Sequence, residues 1–204
     1  MTIALSNVDA TMCDVPCEAV GPRVFDHVMI DIETLSLHRH KALILSVGMI
    51  EFDPTDPAEL HAGARDLIVP EFMEQIMLGR RVDVGTQEFW RKQDPEAAAH
   101  WLRPFSITDL KTTLETVRAF CKGKGNVWSR GIQFDLSNLE GLAEDIGDTK
   151  ELWHYQAPCD MRGFLRHTPN TRPLPALIIP GVAHEPIYDC IWQAWQVWSH
   201  WHGN

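Results

Sequence analysis

Asp31 and Glu33 stand two residues apart at the end of an apolar run, His27-Val28-Met29-Ile30, that opens onto polar residues 36–41. On a β-strand successive side chains alternate across the pleat, so Asp31 and Glu33 would share a face with Met29, and Val28, Ile30 and Ile32 would take the other. Two carboxylates side by side repel one another unless positive charge lies between them. A divalent cation held by oxygen ligands is the usual solution. Such a shelf suggests metal-assisted phosphoryl transfer.

An Asp-x-Glu triplet is expected about once by chance in a chain this acidic, so the pair needs company. Asp94-Pro95-Glu96 repeats the pattern with a purely structural reading: Asp as N-cap, Pro at the first helical position, Glu in the first turn. Further acids stand at usable places. Asp135 follows the short apolar segment Val127-Trp128 at a helix start, where an N-cap role is the plain alternative. His184 and Asp189 flank another helix start. Five residues on one continuous helix would set them about 140° apart, but Pro186 places His184 before the helix and Asp189 one turn inside it. His61 and Asp66 share that spacing on a strand, where an odd offset puts them on opposite faces.

The elements that must hold these residues can be read from periodicity. Strands are expected over 27–33, 42–52 and 64–69, an antiparallel meander with a turn at Asp53-Pro54-Thr55-Asp56-Pro57. Helices are expected over 71–78, 86–93, 95–102 and 108–122. The last carries Leu110, Leu114, Val117 and Cys121 at helical spacing, with Gly123 after its end. A strand over 126–130, a helix over 135–146, a strand over 152–155 and a helix over 160–167 capped by Asp160 follow. Residues 169–180 read as a proline-rich loop. A final helix opens at Glu185-Pro186 with Ile187, Ile191, Ala194, Trp195 and Trp198 as its apolar stripe. Trp192, Trp195, Trp198 and Trp201 could offer stacking surfaces for bases, but core packing and a dimer seam are the favoured uses.

This is an α/β pattern with a mixed sheet in one domain, and residues 1–26 read as an N-terminal extension without a clear period. No run approaches a membrane span or a signal peptide, so a cytoplasmic protein is expected (host cytoplasm if phage-encoded). Five cysteines, Cys13, Cys17, Cys121, Cys159 and Cys190, lack zinc-finger spacing and read as reduced thiols. The net charge of −10 argues against a non-specific nucleic-acid coat protein. It allows a nuclease that meets phosphate locally, with Arg80, Arg81, Arg91, Lys92, Arg130, Arg162, Arg166 and Arg172 available for a basic rim.

Asp31 and Glu33 on the first strand, Asp135 after a later one, and His184 with Asp189 at the last helix make an ordered set. In this order the chain resembles the DEDD superfamily of 3′–5′ exonucleases, in the subgroup with a histidine base. Within it the chain is similar to phage DexA-type exonucleases and related bacterial exoribonuclease-like proteins. Met29 to Leu35, Thr86 to Gln93, Val127 to Gly131, Cys159 to Arg162, and His184 to Cys190 carry the likeness. Two departures stand out: the added residues 1–26, and Phe89 in place of the first tryptophan of a Trp-Trp pair.

The resemblance implies a ribonuclease H-like fold over residues 27–204. It also implies two divalent cations, Mg²⁺ or Mn²⁺, held by Asp31, Glu33, Asp135 and Asp189. Asp31 would bridge both ions, Glu33 and Asp189 would complete one site, and Asp135 would support the other. His184 would be the general base on the attacking water. Thr34, Leu35, Trp90 and Gln93 are the candidates for binding the terminal nucleotide. The expected partner is nucleic acid with a free 3′ end, DNA ahead of RNA, and a dimer is an open option. The competing readings are a non-catalytic nucleic-acid-binding protein on the same fold and a small-molecule metallophosphoesterase. The first would have been favoured by loss of an acid or the histidine, and the second by a histidine-richer site.

Overall fold

A computed structural model describes residues 25–55, 63–102, 106–168 and 181–201. Five strands form one sheet in the order β3-β2-β1-β4-β5: β1 His27–Thr34, β2 Ile44–Phe52, β3 Arg65–Ile68, β4 Asn126–Ser129 and β5 Pro158–Asp160. β1, β2 and β3 are antiparallel neighbours, as the meander reading expects, while β4 and β5 run parallel to β1. The central strands are apolar on both faces, which requires helices above and below.

One face is covered by α4 Leu110–Cys121 and α5 Asp135–Asp145. Leu110, Leu114, Val117 and Cys121 recur at helical spacing and are buried against Val28, Ile30 and Ile32 together with Leu136, Leu139 and Leu142. Asp109 caps α4 by accepting from the Thr112 amide at 2.9 Å. α7 Pro186–Trp201 covers the other face, with Cys190, Ile191, Ala194, Trp195 and Val197 on Met29, Ile50, Phe52 and Trp128. The tryptophans of α7 accordingly serve the core first: Trp195 is buried, Trp198 packs against the same cluster, and Trp201 is half exposed against Phe164 and His27.

α1 Phe72–Met77, α2 Val84–Trp90 and α3 Pro95–Leu102 lie between β3 and α4 in the chain. Leu43, Leu45, Trp90, Ala97 and Ala98 form their own buried cluster. α3 starts at Pro95 with the Asp94 carboxylate accepting from the Glu96 amide at 2.9 Å, so the Asp94–Glu96 pair is a helix start as expected. α6 Met161–His167 is capped by Asp160, also as expected.

Two expectations need correction. The last strand is Pro158–Asp160, and residues 152–155 form no strand: Leu152 and Trp153 are buried in the cluster beneath α4 and α5. Arg80 does not belong to a basic rim. It is buried, donating to Asp145, the Ala42 carbonyl and Asn138. Residues 1–24, the expected loop over 169–180 with Arg172, and His61 lie outside the described residues. Among those described, no helix is long and apolar enough to cross a membrane.

Candidate active site

The alternation along β1 places Asp31 and Glu33 on the α7 side of the sheet. Asp31 pairs across the ladder with Gly48 of β2. A Cβ on Gly48 would lie 2.6 Å from the Cβ of Pro186 and 2.8 Å from its carbonyl carbon. Only a glycine lets the start of α7 approach so closely, and that approach carries His184 and Asp189 to the carboxylates of β1. The ladder is irregular between Glu33 and Thr34, and such a shift re-aims the strand end where a site needs it.

The turn before α7 is equally specific. Glu185 caps the helix, its carboxylate accepting from the amides of Ile187 at 3.3 Å and Tyr188 at 2.6 Å. His184 adopts φ 70°, a left-handed conformation uncommon outside glycine and often found where function demands it. Its backbone amide donates to Asp189 Oδ2 at 3.1 Å, and its ring Nδ1 lies 3.7 Å from Glu33 Oε1. Ligand atoms of Glu33, His184 and Asp189 all fall within 4.8 Å of one another. Proline does separate His184 from the helix, so the two side chains reach one point despite the five-residue offset.

Asp31 is buried and accepts from Gln193 Nε2 at 2.7 Å. Asp135 begins α5 but does not cap it: Phe134 is the cap residue, and the Asp135 carboxylate turns back to accept from the Gly131 amide at 3.2 Å.

All four acids are raised above their ordinary range, chiefly by burial. Burial pushes the Asp31 carboxyl well above the ordinary aspartate range, and Glu33, Asp135 and Asp189 push it further. Burial raises Glu33 likewise, with Asp189, Asp135 and Glu185 adding to it. Burial lifts Asp135 to about 7 against the opposing Gly131 bond and the Arg162 charge, and also raises Asp189. Among the described residues none of the four is ion-paired to lysine or arginine. Clustered carboxylates held against their own repulsion fit a divalent cation, which these oxygen donors would suit.

Two recesses adjoin the acids. One, of about 420 Å³, is lined by Glu33 and His184 together with Ile32, Leu37, Phe89 and Trp90. Phe89 and Trp90 meet the His184 ring edge-on, with centroids at 5.0 and 6.1 Å. The other, of about 450 Å³, is lined by Asp31 and Asp135 together with Arg39, Arg130 and Arg162.

The expected nucleotide-binding residues divide. Thr34 and Trp90 line the first recess, with the Trp90 indole donating to the Thr34 carbonyl at 3.0 Å. Leu35 turns inward against the Leu43–Trp90 cluster, and Gln93 donates to the Phe89 carbonyl; neither lines the recess. Leu37, Phe89 and Phe134 occupy its walls instead. Of these, only Phe89 stands out in the sequence, as the departure from the Trp-Trp pair.

A family model for the 3′–5′ exoribonuclease Rv2179c-like domain matches residues 26–201. The chain belongs to this family of 3′–5′ exonuclease domains. Its fold is ribonuclease H-like, shared with exonuclease I. A structure of exonuclease I described in terms of processivity aligns with a TM-score of 0.57 at 15% identity, covering 84% of this chain and 40% of that one. The product-bound exonuclease I aligns at 0.55 and 13% identity over 84% and 42%. E. coli exonuclease I in complex with a dT13 oligonucleotide aligns at 0.55 and 12% over 84% and 40%. The chain thus spans about two fifths of the length of these neighbours. No curated protein sequence matches it.

Proposed function

We propose that the chain removes 5′-mononucleotides from the 3′ end of a nucleic-acid single strand, with Asp31, Glu33, Asp135 and Asp189 holding two divalent cations. The convergence of Glu33, His184 and Asp189 within 4.8 Å, beside the buried Asp31 and Asp135, carries this reading. Bound Mg²⁺ or Mn²⁺ would neutralise the scissile phosphate and acidify the attacking water.

The chain's own groups do the rest. His184 is half exposed at the cavity wall and held by the hydrogen bond its backbone amide donates to Asp189, placed to take a proton as water attacks phosphorus. The bond from phosphorus to the 3′-oxygen of the preceding nucleotide breaks, and that oxygen takes a proton from solvent. Phe89 and Trp90 offer apolar faces for the terminal nucleoside. Thr34 lines the same recess, but its hydroxyl donates to the Ser36 carbonyl, so its contribution is to shape the wall.

RNA is the first substrate to test, because the matching family is described as exoribonuclease. DNA, the preference expected from the DexA-like segments, is the second reading, and the dT13 complex of a structural neighbour supports it. The deciding experiment uses matched 5′-labelled RNA and DNA single strands with Mn²⁺, Mg²⁺ or chelator. Stepwise shortening of RNA with release of 5′-mononucleotides, abolished by chelator, is the expected result. Faster shortening of DNA would reverse the substrate order, and cleavage unaffected by chelator would overturn the metal assignment.

A further inference from the structure

The second recess is chemically unlike the first. Asp31 and Asp135 form its floor, and the exposed Arg39, Arg130 and Arg162 stand around it. These arginines come from three separate places: the loop between β1 and β2, the residue after β4, and the first turn of α6. Among the described residues none of the three guanidinium groups makes a hydrogen bond or an ion pair within 4 Å, while the charges of Arg162 and Arg130 act on Asp135 and Asp189. The Arg162 guanidinium lies beside Gly131, its Nη1 3.6 Å from where a Cβ would stand at that position, an ordinary contact distance. In a chain of net charge −10, a polyanion approaching four carboxylates needs local positive potential. Exposed arginines on the lip of the acid cluster supply it.

Leu37 and Phe134 line both recesses, so the two are neighbours with the acids between them. From this arrangement we infer that Arg39, Arg130 and Arg162 form a phosphate-binding lip for the nucleotides upstream of the scissile bond. The 3′-terminal nucleoside enters the apolar recess of Phe89 and Trp90, and the strand leaves across the arginines. The site is thereby built for strands with several upstream phosphates and is poorly suited to dinucleotides. The inference rests on the exonuclease reading and adds the path of the strand to it.

The test compares wild type with Arg39→Gln/Arg130→Gln/Arg162→Gln, with the corresponding triple lysine variant, and with a charge-matched control, Lys111→Gln/Lys122→Gln/Lys150→Gln. Binding of a fluorescein-labelled single-stranded oligonucleotide is followed by anisotropy in Ca²⁺ over a range of salt. At about 0.7 per phosphate contact on single strands, loss of three contacts should lower the slope of log K against log salt by about 2. Affinity at low salt should fall about tenfold or more, the lysine variant should retain most of the slope, and the control should keep it. Hydrolysis of the p-nitrophenyl ester of a nucleoside 5′-monophosphate, which has no upstream strand, is measured alongside. The ratio of kcat/KM on the oligonucleotide to that on the ester should fall about tenfold in the glutamine variant. An unchanged salt slope in that variant, or an equal loss in the control, would overturn the lip. A wild type inactive on both substrates would overturn the exonuclease reading, and the binding slopes would still decide the arginines.

Discussion

Gln193 of the last helix donates to Asp31 of the first strand across 2.7 Å, so the carboxylate at the centre of the acid cluster is fixed by an element 162 residues away. Both side chains are buried. The bond orients one oxygen of Asp31 and leaves the carboxyl under the pressure of burial and of Glu33, Asp135 and Asp189. A group held this way is costly to the apo fold and valuable to a metal.

Asp31→Ala should therefore abolish hydrolysis while apo thermal stability holds or rises, because one of four clustered acids is gone. Melting curves with and without Mn²⁺ check this. The variant should lose most of the stabilisation that Mn²⁺ gives the wild type. Unaltered turnover at saturating Mn²⁺ would remove Asp31 from the site.

His184→Ala should lower kcat by roughly 10²–10⁴, the usual contribution of a general base, with Mn²⁺ binding largely kept. The acidic limb of the rate–pH profile should change, since only a neutral imidazole accepts a proton. A profile and rate like those of the wild type would assign the base elsewhere.

Much of this site was legible in the sequence, and the reason is local. Strand alternation determines that Asp31 and Glu33 share a face, and Pro186 determines that His184 stands before its helix; neither needs tertiary information. What was illegible depended on distant contacts. Leu35 is expected at the nucleotide from the likeness carried by Met29 to Leu35. The ladder irregularity after Glu33 interrupts the strand alternation, and the exposed Leu37 takes the place at the cavity wall. Arg80 read as a surface charge, although Asp145 and Asn138, far along the chain, bury and bind it. Leu152 and Trp153 are apolar because they seal the core under two helices, which imitates a strand. The true edge strand begins with Pro158 and is half-buried throughout, so it carries little apolar signal.

Phe89→Ala should raise KM more than it lowers kcat. Phe89 is 39% exposed in the recess and meets the His184 ring at 5.0 Å, so it can stack on a base and also steady the histidine. Base–aromatic stacking contributes about 1–3 kcal/mol by alanine substitution, or roughly five- to 150-fold in KM. Steady-state kinetics on a labelled strand measures it, and a loss confined to kcat would place Phe89 with the histidine alone.

Stability of the metal-free protein should fall as pH rises from the ordinary aspartate value of 3.8 to about 7 on account of Asp135. In that window the folded protein holds a proton at Asp135 that the unfolded chain has released, so raising pH favours unfolding. Asp135→Asn removes this contribution. His27, whose pKa burial lowers, acts in the opposite direction as pH falls through its range, and is common to both proteins. The difference in melting temperature between variant and wild type should accordingly grow from acidic to neutral pH in chelator. A pH-independent difference would deny the buried proton.

In the proposed reaction the acids act on a terminal phosphodiester, and the free 3′-hydroxyl end occupies the recess beside Glu33. A 5′-labelled linear single strand, the same strand ending in a 3′-phosphate, and its circular form can be incubated with Mn²⁺ and resolved on one gel. The expected result is a ladder shortening from the 3′ end of the hydroxyl-terminated strand, strong inhibition by the 3′-phosphate, and an intact circle. Efficient cutting of the circle would contradict it.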